Sequence, residues 1–130
     1  MPTVLLVDDA PEIRDLVATL LNDEGFTVTT VDQAEAALSL LALSPPDLLI
    51  LDGRLPGMSG WECLSLLRSS DRTARLPVLM LTAALSDLQT GKQEPPDDCT
   101  SHLAKPFDLD ELLAMMYGVI NTCNQEPVAV

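Results

Sequence analysis

Aromatic residues are almost missing: two Phe, one Trp and one Tyr make up 3% of 130 residues. A core cannot rest on ring stacking here. It must come from the aliphatic share of the 47% hydrophobic content, mainly Leu, Val, Ile, Ala and Met, which suits helices packed on a sheet. Positive charge is also scarce. Seven Lys and Arg face twenty Asp and Glu, a formal net charge of −13, and a field of that sign repels phosphate backbones and anionic lipid headgroups. Neither direct nucleic-acid binding nor membrane attachment is expected. The three cysteines, Cys63, Cys99 and Cys123, are an odd number without metal-site spacing, so they are expected to be reduced thiols in a cytoplasm. No apolar run approaches the roughly 18 residues that a membrane helix needs. Met1-Pro2-Thr3 leads straight into Val4 without the basic region of a signal peptide. The length fits one domain.

Short apolar runs at 4–7, 48–51 and 78–81 each end in polar residues, and their brevity favours buried strands; 26–31 is a fourth, more mixed candidate. Helical periodicity lies between them. Ile13, Leu16, Val17, Leu20 and Leu21 share one face, Ala34, Ala37, Leu38 and Leu41 another, and Leu109, Leu112, Leu113 and Met116 a third. Asp32 with Glu35, Ser59 with Glu62, and Asp108 with Glu111 are spaced as capping boxes, Pro11 suits a first turn, and Gly25 is a plausible helix stop. This alternation of strand and helix predicts a parallel sheet covered on both faces. The stretch 85–101 departs from it, because Gly91 and Pro95-Pro96 cut an expected fourth helix to a stub and leave a segment from about Gly91 to Thr100 that should open cheaply. Residues 121–130 read as a frayed tail.

In a parallel sheet the residues just past the strand C-termini gather on one edge, where such folds bind ligands. Asp8 and Asp9 follow the first strand, Asp52 ends the third, Thr82 ends the fourth, and Lys105 follows His102-Leu103-Ala104, taken as the fifth. Three crowded carboxylates repel one another and call for a cation, and carboxylate oxygens suit Mg²⁺ better than Zn²⁺ or a Ca²⁺ loop. With one carboxylate as nucleophile, the cation and Lys105 would offset charge on a transferring phosphoryl group, while Thr82 would hydrogen-bond one of its oxygens. Each residue alone has a plainer reading: a solvated strand end for Asp8-Asp9, a surface cation for Lys105, a strand-end hydroxyl for Thr82. Their convergence on one edge outweighs those readings.

The segments Val4-Leu-Leu-Val-Asp-Asp9, Leu49-Ile-Leu-Asp-Gly-Arg-Leu-Pro-Gly-Met-Ser-Gly60, Leu79-Met-Leu-Thr-Ala83 and Lys105-Pro-Phe107 occur in order over nearly the whole chain. Together they resemble the receiver domain of bacterial two-component response regulators. The resemblance implies a flavodoxin-like, doubly wound α/β fold with five parallel strands in the order 2-1-3-4-5, a pattern from which the shortened or broken fourth helix departs. It implies a domain over 1–120, after which comes the tail read over 121–130. It further implies Asp52 as phosphoacceptor, a Mg²⁺ pocket of Asp8, Asp9, Asp52 and the Arg54 backbone carbonyl, Lys105 as phosphoryl contact and Thr82 as switch hydroxyl. His102 stands at the family's switch aromatic position, and a cis peptide is implied between Lys105 and Pro106. Arg54 and Ala84 match positions that tune phosphoryl lifetime. Taken alone, His102 reads equally as a packed residue, Trp61 as packing beside Leu64, and Cys63 as a small buried group.

The function expected is a phosphorylation switch: a sensor histidine kinase or histidine phosphotransferase donates a phosphoryl group to Asp52, and the altered surface is read by an unknown downstream protein. Such a chain is no enzyme apart from Mg²⁺-dependent self-phosphorylation and slow autodephosphorylation. It would be cytoplasmic, a monomer or weak homodimer, and either stand-alone or part of a longer protein. The alternative is a constitutive interaction module with a vestigial phosphorylation pocket. A metal-dependent phosphohydrolase would want a general acid near Asp52, where Gly53 and Arg54 stand instead, and a flavin protein would want a phosphate loop where Asp8-Asp9-Ala10-Pro11 brings negative charge.

Overall fold

Strand β1 (Thr3–Val7) is buried from Val4 to Val7, and β3 (Leu48–Asp52) and β4 (Val78–Thr82) are buried at every residue, as strands covered on both faces must be. The computed structural model describes residues 2–82 and 99–124. Its remaining elements are α1 (Pro11–Asp23), β2 (Thr27–Val31), α2 (Ala34–Leu43), α3 (Gly60–Arg68), β5 (Thr100–Ala104) and α4 (Leu109–Asn124). All strand pairings are parallel and the order is β2-β1-β3-β4-β5, in agreement with the expected doubly wound fold.

Alternate strand residues point to opposite faces, which divides the core in two. Leu5, Val7, Leu49, Leu51, Val78 and Met80 pack with Ala34, Ala37 and Leu41 of α2 and Cys63, Leu64 and Leu67 of α3. On the other face Leu6, Ile50, Leu79, Leu81 and Leu103 pack with Val17 and Leu21 of α1 and Leu112 and Met116 of α4.

Local chemistry explains several helix boundaries. Pro11 opens α1, and Gly25, at φ +98°, closes it: the Gly25 amide donates to the Asn22 carbonyl and the Phe26 amide to that of Leu21, the Schellman arrangement. The Ser59 hydroxyl accepts from the Glu62 amide at 3.1 Å, capping α3. Ahead of α4, Asp108 and Glu111 form a reciprocal box, with the Glu111 amide on Asp108 Oδ1 at 2.8 Å.

Several expectations are corrected. Asp32 does not cap α2, which starts at Ala34 after an extended Gln33 with no side-chain cap, so the spacing to Glu35 falls one residue out of register. Ile13 and Leu16 stay exposed, at 39% and 59%, because the core side of α1 is narrower than its apolar stripe. Helix α4 runs through Asn124, into the stretch read as tail. Cys99 and Cys123 are not reduced thiols but a disulfide, their Cα atoms 4.4 Å apart; Cys63 alone of the three is free. The broken fourth helix, Ala84 and the segment from Gly91 to Pro96 lie outside the described residues. Among the described residues no helix is long and apolar enough to cross a membrane.

Candidate functional site

Parallel strands end together, so the tips of β1, β3 and β4 and the residue after β5 bring Asp8, Asp52, Thr82 and Lys105 to one edge of the sheet. Asp8, fully buried, is held through both ends: its Oδ1 accepts from the Ala10 amide at 2.9 Å, and its amide donates to the Val31 carbonyl. Asp52, 5% exposed, accepts the Arg54 amide on Oδ1 at 3.0 Å, a two-residue turn that leaves Oδ2 for other partners. The Lys105 amide donates to the Thr82 carbonyl at 2.8 Å, and the peptide that follows, Lys105–Pro106, is cis as expected. From there the ammonium reaches Asp52 Oδ2 at 3.0 Å and Asp8 Oδ2 at 3.3 Å.

Asp8, Asp9 and Asp52 each place a carboxylate oxygen within 4.8 Å of the others. Asp9 is exposed, while its companions are buried. Three carboxylates thus converge where Lys105 supplies one ammonium. Burial pushes the Asp52 carboxyl above the ordinary carboxylate range, although the Arg54 amide and Lys105 pull the other way. Burial alone would lower Lys105, but its hydrogen bond and charge contact with Asp52, and the charge of Asp8, hold it above the usual lysine value. A set made only of carboxylate oxygens, short of positive charge, fits a hard divalent cation such as Mg²⁺.

Thr82 is 1% exposed and its hydroxyl has no hydrogen-bond partner among the described residues. A buried hydroxyl left unmet at a ligand-binding edge is uncommon. His102 sits opposite Met80 in the β4–β5 register, on the same sheet face as Thr82 two residues along, and its ring stands 5.4 Å from that of Trp61.

Two glycines had no assigned part in the sequence reading. A Cβ on Gly60 would overlap the Asp52 backbone carbonyl, and one on Gly53 would stand 2.8 Å from Trp61 Nε1. The Gly60 amide donates to the Gly53 carbonyl at 3.1 Å. The start of α3 therefore lies directly on the end of β3. The only sequence signal was the glycine on either side of 54–59. Trp61 is half-buried against the core, as read, but also borders both Gly53 and His102. An apolar groove of about 380 Å³ lies beside the site, between Ile13 and Leu16 of α1 and Phe107 and Leu112, and shares Lys105 with it.

The model of the response regulator receiver domain family matches residues 4–117. The DNA-binding dual master transcriptional regulator RpaA of Synechocystis sp. is 36% identical over 99% of this chain and 53% of its own length. The chain spans about half the length of the first curated relatives it matches. Among solved structures, chemotaxis protein CheY4 of Vibrio cholerae superposes with a TM-score of 0.82 at 32% identity, over 92% of this chain and 98% of its own. The receiver domain of a sensor histidine kinase from Pseudomonas aeruginosa, with a magnesium ion coordinated in its active-site cleft, gives 0.82 at 27%, over the same shares.

Proposed function

The chain belongs to the response regulator receiver domain family, and from that premise we propose that it is a phosphorylation switch whose phosphoacceptor is Asp52. The observation that carries this reading is the buried Asp52 carboxylate, bridged by Lys105 to Asp8, on the edge where the Thr82 hydroxyl has no partner among the described residues.

Asp52 Oδ2, the oxygen not held by the Arg54 amide, attacks the phosphorus of a phosphohistidine. The P–N bond breaks, the imidazole leaves, and an acyl phosphate remains on Asp52. Lys105 exchanges its bond to Asp52 for the phosphoryl oxygens, and its bond to Asp8 keeps it aimed at them. Mg²⁺, held by Asp8, Asp9, Asp52 and the Arg54 carbonyl, would offset charge on the phosphoryl oxygens. The Thr82 hydroxyl gains an acceptor. Its inward turn opens space on the same face for the His102 ring, which shifts against Trp61 and alters the β4–β5 and α4 surface. That surface is the one offered to a downstream protein.

The donor class is a sensor histidine kinase or histidine phosphotransferase, and the location is cytoplasmic, where such donors present their phosphohistidine. The chain acts as a monomer or weak homodimer without contacting nucleic acid or membrane. Chemistry of its own is confined to taking up the phosphoryl group and losing it slowly to water. The docking-module reading has no observation in its favour.

The test is transfer from an isolated, phosphorylated histidine phosphotransferase domain. With Mg²⁺ the label leaves the donor and appears on this chain; with a chelator, or with Asp52→Asn, it stays on the donor. Equal transfer to Asp52→Asn would refute the assignment.

A further inference from the structure

The disulfide lies at the end of the sheet opposite Asp52. Cys99 precedes the first residue of β5, and Cys123 belongs to the last turn of α4, so the bond ties that helix end to that strand start. We propose that Cys99 and Cys123 form a reversible thiol–disulfide site, opened by a low-molecular-weight thiol of the glutathione class, which clasps or releases the C-terminal turn of α4. This rests on the cytoplasmic location proposed above, because a disulfide kept in a reducing compartment is usually one that cycles.

Three features suit a bond that opens and closes. The backbone of each cysteine is held by groups other than the bridge. The Cys99 carbonyl accepts from the Val78 amide at 2.8 Å and from Arg68 Nη2 at 3.1 Å, and the Cys123 carbonyl accepts from Arg75 Nη2 at 2.7 Å. Opened, the sulfurs stay within reach of each other. The reduced form is also provided for, since Cys123 Sγ lies 2.9 Å from the Arg75 carbonyl oxygen, a ready acceptor for a new S–H. Finally, Arg68 and Arg75 bring positive charge to both cysteines in a chain that is otherwise strongly acidic, and nearby cations favour the thiolate that exchange requires.

Cys99 is fully buried and Cys123 is 4% exposed, so attack on the bond requires the last turn of α4 to open, as helix ends do. A groove of about 650 Å³ is lined by Arg72, Arg75 and Pro77 and by Ile120, one turn before Cys123, with Asp47 and Asp71 also on its rim. Cys63 differs in being unbridged and packed in the α3 core, its thiol pushed up to about 11, first by burial and then by Glu35.

In the opening step a glutathione thiolate attacks one sulfur. The S–S bond breaks, a mixed disulfide forms, and the other cysteine leaves as thiolate. A second glutathione displaces the first as glutathione disulfide, so two electrons, and two protons from solvent, end on Cys99 and Cys123.

The experiment equilibrates the full chain in glutathione buffers of graded ratio, quenches with acid, alkylates, and maps the label by mass spectrometry. Label should enter Cys99 and Cys123 together as the reduced fraction rises, with Cys63 unchanged. The thermal midpoint should fall by roughly 10 °C across that range. In Cys123→Ser the midpoint should not depend on the ratio; if this variant does not fold, the wild-type titration decides alone. A bridge intact at every ratio, or both cysteines labelled at every ratio, would overturn the proposal. Phosphorylation of Asp52 is measured separately, so its failure leaves the redox result readable.

Discussion

Gly60 lies so close to Asp52 that a Cβ on the glycine would overlap the aspartate's backbone carbonyl. The backbone of α3 thereby fixes the end of β3, and with it the carboxylate that Lys105 grips. Gly60→Ala should force the two apart, lowering the thermal midpoint by several degrees and slowing phosphorylation. Gly118→Ala is the matched control. A Cβ there meets nothing within 4 Å, the site is inside α4, and exchanging glycine for alanine should stabilise the helix by about 0.5–1 kcal/mol. Thermal melts of both variants check the contrast.

Asp52→Asn should stabilise the metal-free protein at neutral pH. Burial raises the Asp52 carboxyl in the folded state, so its contribution is fully present below the unfolded pKa of about 4 and is lost as pH rises through the folded value. The amide carries no charge to bury. Melting midpoints of the two proteins should therefore converge in acid and separate by a few degrees at neutral pH, with the variant higher.

Lys105 has the same sign in another window. Raised in the fold by Asp52 and Asp8 against the pull of burial, it contributes stability that is full below its unfolded pKa of about 10.4 and is lost as pH rises through the folded value. Lys105→Met leaves two buried carboxylates without their ammonium. It should cost roughly 1–3 kcal/mol at neutral pH, allowing for the partial exposure of the pair, and should lack the alkaline loss seen in wild type. Denaturant unfolding across pH tests both.

Trp61, the only tryptophan, borders Gly53 and His102 at once. Its fluorescence should change when beryllofluoride and Mg²⁺ mimic the phosphoryl group. The change should be absent in Thr82→Ala, which lacks the hydroxyl proposed to couple Asp52 to His102.

Strand positions were legible because brief apolar runs ending in Asp or Thr leave little else to form, and α1 because Pro11 and Gly25 mark its ends. The site edge followed from topology alone. Other features follow from three-dimensional proximity that no spacing encodes. The periodicity of α1 shows an apolar stripe that includes Ile13 and Leu16, but not how much of it the core covers. Cys99 and Cys123 are 24 residues apart, a separation that does not reveal that β5 starts beside the end of α4. Gly60 reads as a turn residue until the strand it touches is in place.

Intact-mass analysis after incubation with acetyl phosphate and Mg²⁺ tests the central claim most directly. Wild type should gain the mass of one phosphoryl group, mapped to Asp52 and absent from Asp52→Asn. An adduct that persists in Asp52→Asn, or a wild type that gains none, would contradict the assignment of Asp52 as the phosphoacceptor.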